Sequence, residues 1–76
     1  MREHKILLDK NDVKEFVTMA GKCDFDIDVS YNHITVDAKS ILGVLALDLR
    51  QILTVSCNGY SDDFEKYLSS RCAMVC

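Results

Sequence analysis

The chain has 76 residues, a formal net charge of −3 and no proline. This length predicts one small domain over residues 1–76, and 49% hydrophobic with 28% charged residues is typical of a globular rather than a disordered chain. The nine Lys and Arg residues are scattered, which argues against nucleic acid as a partner. No apolar run approaches the roughly 20 residues that cross a bilayer, so no membrane contact is expected.

The N-terminal residues and the cysteines bear on the cellular compartment. The basic start of the chain leads into only a short apolar run, Ile6 to Leu8, which is too short for a signal peptide, so we expect a cytoplasmic protein. Cysteines in that compartment are expected to be reduced. The apolar patterns around Cys57 and Cys72 predict small buried side chains, whereas Cys76 is expected to be exposed. No role is predicted for the thiols, that of Cys23 included.

The run from Ile6 to Leu8 also predicts the first strand, and a helix start follows it. Asp9, Asn11 and Asp12 are typical of such a start, because their side-chain oxygens accept bonds from the first unpaired N–H groups. Apolar residues then recur at the spacing of one helix face: Val13, Phe16, Val17 and Ala20. Gly21 predicts the end of this helix.

The next segment predicts a β-hairpin. Apolar side chains alternate with acidic and small polar ones, which is typical of a half-buried strand: Phe25, Ile27, Val29 and Tyr31. Asn32 tolerates a positive φ and predicts a tight turn together with His33. Ile34 and Val36 predict the return strand.

The remainder predicts a helix, a strand and a last helix. Ser40 can cap a helix from about Ile41 to Leu47, and the β-rich run from Ile52 to Cys57 predicts the fourth strand. Ser61 can cap the last helix, whose apolar stripe is expected to contain Phe64, Tyr67, Leu68, Cys72 and Val75. The resulting β-α-β-β-α-β-α order predicts an α+β open-faced sandwich, with a four-stranded antiparallel sheet and three helices on one face.

The segment Asp37 to Leu47 carries a family resemblance. Its Ala38-Lys39-Ser40, followed by an apolar helix, resembles the region around the regulatory serine of HPr, the phosphocarrier of the sugar phosphotransferase system. The similarity extends from about Val13 to Leu68 without gaps between Phe16 and Ser40. It implies the HPr-like fold, whose known element order agrees with the order read from periodicity.

The first helix start departs from that family. Asp9 occupies the position of the phosphorylated histidine, Asn11 that of the arginine and Asp12 that of the proline. An incoming phosphate would meet two carboxylates and no arginine, and like charges repel by about 1 kcal/mol at close range even in water. We therefore expect no phosphotransfer at this position. Two interpretations of Asp9 stay open: an ordinary helix cap, or a fixed negative charge that imitates the phosphorylated state.

The second helix start keeps the family pattern. The resemblance implies that Ser40 is the serine that a dedicated kinase phosphorylates; the alternative is an unmodified helix cap. It also assigns Ile41, Leu42 and Leu45 to a partner-docking face, and Val44 and Leu47 to the core. The alternatives are a fully buried helix or a homodimer contact.

Two patterns could suggest metal ligands, and neither satisfies the requirements. The run Asp24-x-Asp26-x-Asp28 begins like a calcium loop, but Val29 stands where glycine is needed and Thr35 where glutamate is needed. The cysteines and histidines give no sign of the four converging ligands of structural zinc. We predict no metal and no cofactor.

The sequence therefore predicts a divergent, non-catalytic HPr-like protein that acts as a docking or regulatory module. Its expected partner is a protein, such as a phosphotransferase-system enzyme or the HPr serine kinase. One alternative is a phosphoryl carrier or kinase substrate that uses Ser40 or, less favoured, Asp9. Another is a structural or oligomeric domain that reuses only the fold.

Overall fold

The computed structural model of the chain describes residues 2–72. The strands are β1 (Arg2–Ile6), β2 (Ile27–Tyr31), β3 (Ile34–Asp37) and β4 (Leu53–Cys57), and the helices are α1 (Val13–Gly21), α2 (Ile41–Leu45) and α3 (Asp62–Ser70). A 3₁₀ turn, Lys10–Asp12, leads directly into α1. This order confirms the predicted α+β arrangement.

The four strands form one antiparallel sheet in the order β1-β4-β2-β3. In β4, Leu53, Val55 and Cys57 are buried beneath the helices, while Thr54 and Ser56 between them are only half-buried. The same alternation in β2 buries Ile27 and Val29. One face of the sheet therefore carries the core, and the other is polar.

The core lies between this face and the helices. Phe16 of α1 and Phe64 of α3 are fully buried, with ring centroids 5.9 Å apart. Tyr67 lies beside both rings, 6.3 Å from Phe16 and 6.5 Å from Phe64. Aromatic rings at such separations contribute roughly 0.5–1.5 kcal/mol per pair beyond their area burial. These three rings therefore pack α1 against α3.

Strand β1 begins earlier and ends earlier than the apolar run predicted. It pairs with β4 from Arg2 opposite Cys57 to Ile6 opposite Leu53, and Leu8 is buried beyond the strand. Backbone pairing does not require apolar side chains, so the polar residues at the start of this edge strand gave no periodic signal.

The last helix ends at Ser70, so the prediction for Cys72 is wrong. Cys72 was placed on the apolar helical stripe, but it follows the C-cap residue Arg71 and is exposed. It instead forms an isolated antiparallel bridge with Ile6. Val75 and Cys76 lie outside the described residues.

Two turns depend on the residue that occupies them. Asn32 begins the two-residue β2–β3 loop with φ of 59°, while His33 keeps a negative φ and therefore needs no glycine. Gly59 is required by a close approach, because a Cβ there would lie 2.5 Å from the Phe25 ring. Within residues 2–72, no helix has both the length and the apolar character needed to cross a bilayer.

Candidate functional site

The 3₁₀ turn before α1 is closed by its own two carboxylates. Asp9 is the cap residue in extended conformation, and its Oδ1 accepts the Asn11 N–H at 3.3 Å. In return, Asp12 Oδ2 accepts the Asp9 N–H at 3.3 Å, which completes a reciprocal capping box. The N–H groups of Asp9, Asn11 and Asp12 are thus bonded within the turn, which presents negative charge at the start of the helix.

Arg71 reaches this turn from the far end of the chain. Its Nη2 lies 3.3 Å from Asp12 Oδ1 and 3.5 Å from Glu15 Oε1. The guanidinium also lies 5.4 Å from the centroid of the Tyr67 ring. Sequence reasoning missed Arg71, because it lies 59 positions along the chain from Asp12 and a single arginine after a helix carries no local signal.

A groove of about 550 Å³ adjoins the Asp9 turn. One wall is formed by residues 8–10 and the other by the end of α2 and the loop after it; the lining side chains are Leu8, Asp9, Lys10, Leu45, Leu47, Asp48, Leu49 and Arg50. The four leucines make its surface mainly apolar. We call it the docking groove, for the role proposed for it in the next subsection, and sequence reasoning did not predict that the two segments share it.

The rim of the docking groove contains one internal ion pair. Arg50 donates both its backbone N–H and its Nε–H to Asp48 Oδ1, at 3.1 and 3.2 Å. These bonds hold the pKa of Asp48 below its ordinary value. Asp48 therefore stays charged and paired, and the rim carries charges of both signs.

Ser40 caps α2 as the sequence predicted. Its Oγ accepts the Gly43 N–H at 3.3 Å, and its side chain is exposed. The helix ends at Leu45 rather than Leu47, because Ala46 already serves as its C-cap. Ser40 is thus both a structural cap and an accessible hydroxyl.

The side chains of α2 divide between solvent and core. Leu42 is 79% exposed, Leu45 46% and Ile41 41%, whereas Val44 is fully buried and Leu47 is 5% exposed. The predicted exposure pattern of these five residues is confirmed, while their role as a docking face stays a prediction. We call Ile41, Leu42 and Leu45 the α2 patch.

Two contacts hold α2 against the rest of the fold. A Cβ at Gly43 would lie 3.2 Å from Val36 Cβ, so the glycine permits close packing of the helix on β3. Lys39 donates from Nζ to the carbonyl of Cys23 at 2.9 Å, which ties the start of α2 to the segment that follows α1. The α2 patch is therefore presented on a fixed element.

The described cysteines and acidic runs form no metal site. Among residues 2–72, no group of three or more His, Cys, Asp or Glu side chains is placed to hold a metal ion. Cys23 and Cys57 are buried, and burial raises the pKa of the Cys57 thiol to about 11. Asp24, Asp26 and Asp28 are exposed before and within β2.

Comparisons with known proteins agree with this geometry. The family model PTS-HPr, described as "PTS HPr component phosphorylation site", matches residues 8–69, which is well over half of the chain. The crystal structure of HPr-C-His from Thermoanaerobacter tengcongensis is similar with a TM-score of 0.73 and 28% identity, covering 92% of this chain and 89% of that one. No curated protein matches the chain.

Proposed function

The chain belongs to the HPr family of the sugar phosphotransferase system, and we propose that within it the protein docks onto partner proteins without carrying phosphate on Asp9. It would act in the cytoplasm as a regulatory or docking module rather than as an enzyme. The observation that carries this proposal is the closed Asp9 turn beside an exposed α2 patch. The absence of phosphotransfer is argued from the Asp9 turn, and the docking role from the α2 patch.

The Asp9 turn argues against phosphotransfer. A phosphoryl group needs free N–H donors and a cation, but the Asn11 N–H is already bonded to Asp9 and the Asp9 N–H to Asp12. The guanidinium of Arg71 is held by Asp12 and Glu15. Two like charges about 4 Å apart repel by about 1 kcal/mol in water and more when partly desolvated, so a phosphate here would be opposed rather than stabilised.

The α2 patch and the docking groove argue for a protein partner. Leu42 and Leu45 both expose apolar surface, and Leu45 also lines a groove that a partner side chain could fill. Full burial of one leucine stabilises a complex by roughly 1.5–3 kcal/mol. We propose a protein of the sugar phosphotransferase system as the occupant, since family membership supplies that partner class.

A second candidate function is kinase-dependent regulation at Ser40. Its hydroxyl is exposed, and a phosphate oxygen could accept the Gly43 N–H that Oγ now accepts. The added charge would lie directly beside Ile41 at the edge of the α2 patch. Modification would therefore change docking while leaving the helix cap in place.

Intact-mass spectrometry separates these functions. The protein is incubated with the phosphotransferase donor enzyme and phosphoenolpyruvate, and separately with the HPr serine kinase and ATP. The docking proposal expects no phosphate in the first incubation. A phosphate retained on Asp9 there, and lost in Asp9→Asn, would contradict it. A phosphate in the second incubation that is lost in Ser40→Ala would establish the second candidate.

A further inference from the structure

We infer that Arg71 is a positioning residue for the docking groove, because its side chain and its carbonyl together fix the wall formed by residues 8–10. The inference deepens the proposed docking function and rests on it only for the effect on binding. Arg71 itself does not line the groove. Its influence would pass through Asp12 and Leu7.

The side chain of Arg71 acts on the turn through one carboxylate. Asp12 uses Oδ1 to bind Arg71 Nη2 and Oδ2 to accept the Asp9 N–H, both at 3.3 Å. The guanidinium therefore orients the same carboxylate that closes the capping box. Loss of the guanidinium would leave Asp12 free to rotate away from the Asp9 N–H.

The backbone of Arg71 acts on the residues before the turn. Its carbonyl accepts the Leu7 N–H at 3.1 Å, and the next residue, Cys72, bridges to Ile6. Leu8 and Asp9 follow immediately in the chain. The wall is thus held on its N-terminal side by the Arg71 carbonyl and on its C-terminal side by the Arg71 guanidinium.

Arg71 is itself held by the aromatic core. Its guanidinium lies over Tyr67, and Tyr67 packs beside Phe16 and Phe64. The groove wall is therefore positioned relative to the α1–α3 core rather than by the turn alone. Because the wall is already ordered before a partner binds, the entropy lost on binding is smaller and the affinity is higher.

The test is amide hydrogen exchange of Asp9 and Asn11 in Arg71→Gln, measured by NMR on the folded protein. We expect both amides to exchange about fivefold faster, because the bonds that protect them lose their support. Arg71→Lys keeps a charge for Asp12 and should recover part of the protection. Asp12→Asn, which weakens the ion pair but retains an acceptor, should also speed exchange of Asp9.

The matched control is Arg2→Gln. Arg2 likewise pairs with a carboxylate, that of Glu65 at 3.1 Å, and lies 5.0 Å from the ring centroid of a tyrosine, Tyr60. It makes no contact with the Asp9 turn, so this variant should leave exchange of Asp9 and Asn11 unchanged. Equal acceleration in both arginine variants would show a global effect and overturn the inference. Unchanged exchange in Arg71→Gln would also overturn it.

Binding gives a separate readout. With a phosphotransferase-system protein that binds the wild type, Arg71→Gln should weaken affinity about fivefold, and Arg2→Gln should not. If the turn loosens in Arg71→Gln but no such protein binds the wild type, the docking function fails while the positioning role stands. If Arg71→Gln does not fold, Arg71→Lys and Asp12→Asn decide the question by the same exchange measurement.

Discussion

The starts of α1 and α2 solve the same physical problem with different chemistry. Asp9 caps the 3₁₀ turn that leads into α1, and its Oδ1 accepts the Asn11 N–H at 3.3 Å. Ser40 caps α2, and its Oγ accepts the Gly43 N–H at 3.3 Å. At Asp9 a second carboxylate closes the turn and an arginine secures it. At Ser40 a single neutral hydroxyl caps the helix and remains exposed.

This difference separates stability from reactivity at a helix start. A carboxylate cap uses donors and partial positive charge that an anion would need, so on our proposal the Asp9 turn gains stability at the expense of an anion site. A hydroxyl cap accepts a helix N–H without adding charge, and the Ser40 hydroxyl stays exposed. The chain thus combines a closed α1 start with an open α2 start.

Among substitutions that test this difference between the two helix starts, we expect the largest effect on partner affinity at α2. Leu45→Glu places a charge where the α2 patch meets the docking groove, and its burial against a partner would be strongly unfavourable. We expect at least a tenfold loss of affinity for a phosphotransferase-system partner, measured by isothermal titration calorimetry. The circular dichroism spectrum should not change, because Leu45 is 46% exposed.

Ile52→Glu is the matched control for that substitution. Ile52 has the same exposed fraction, 46%, but does not line the docking groove. It should bind as the wild type does. Equal losses in both variants would mean that the contact is not confined to the α2 patch, and self-association seen by sedimentation would instead favour the homodimer.

An intermediate effect is expected on the two caps themselves. Asp9→Ala removes a charged acceptor and should lower the free energy of unfolding by about 1 kcal/mol, whereas Ser40→Ala should cost about half as much. Urea denaturation measures both values. A larger loss in Ser40→Ala than in Asp9→Ala would contradict the view that the α1 start is the more strongly secured one.

Most of the fold could be predicted from local patterns. The alternation in β2 and β4 and the helical spacing of Val13, Phe16 and Ala20 arise from burial of one face, which sequence records directly. The limits of β1 and α3 could not be predicted this way. β1 pairs through its backbone along polar residues, and α3 ends before Cys72 because Arg71 and Cys72 turn back towards β1.

The candidate site was predicted only in part for the same reason. Asp9, Ser40 and the α2 patch belong to continuous segments, so cap chemistry and surplus apolar residues indicated them. The docking groove joins residues 8–10 to residues 45–50, and Arg71 reaches Asp12 across 59 positions. Such contacts depend on how elements distant in the sequence pack together, which no local pattern records.

The smallest effect should arise at Glu65, a carboxylate that belongs to neither helix start. Its partial burial acts to raise its pKa, but hydrogen bonds from Arg2 and the nearby His4 outweigh this, so the pKa is lowered overall. A group with a lowered pKa stabilises the fold above its ordinary pKa of about 4.5, and that stability is lost as the pH falls through the folded value.

Glu65→Gln should therefore reduce stability at pH 7 by no more than about 1 kcal/mol and weaken the decline of stability as the pH falls below the ordinary pKa of Glu65. Thermal unfolding of the variant and the wild type across this pH range measures the difference. A wild-type acid decline that persists unchanged in Glu65→Gln would assign the loss to carboxylates elsewhere, and the Asp9 turn would then be the first place to substitute. A weaker acid decline in Glu65→Gln than in the wild type would assign that part of the stability loss to Glu65 rather than to either helix start.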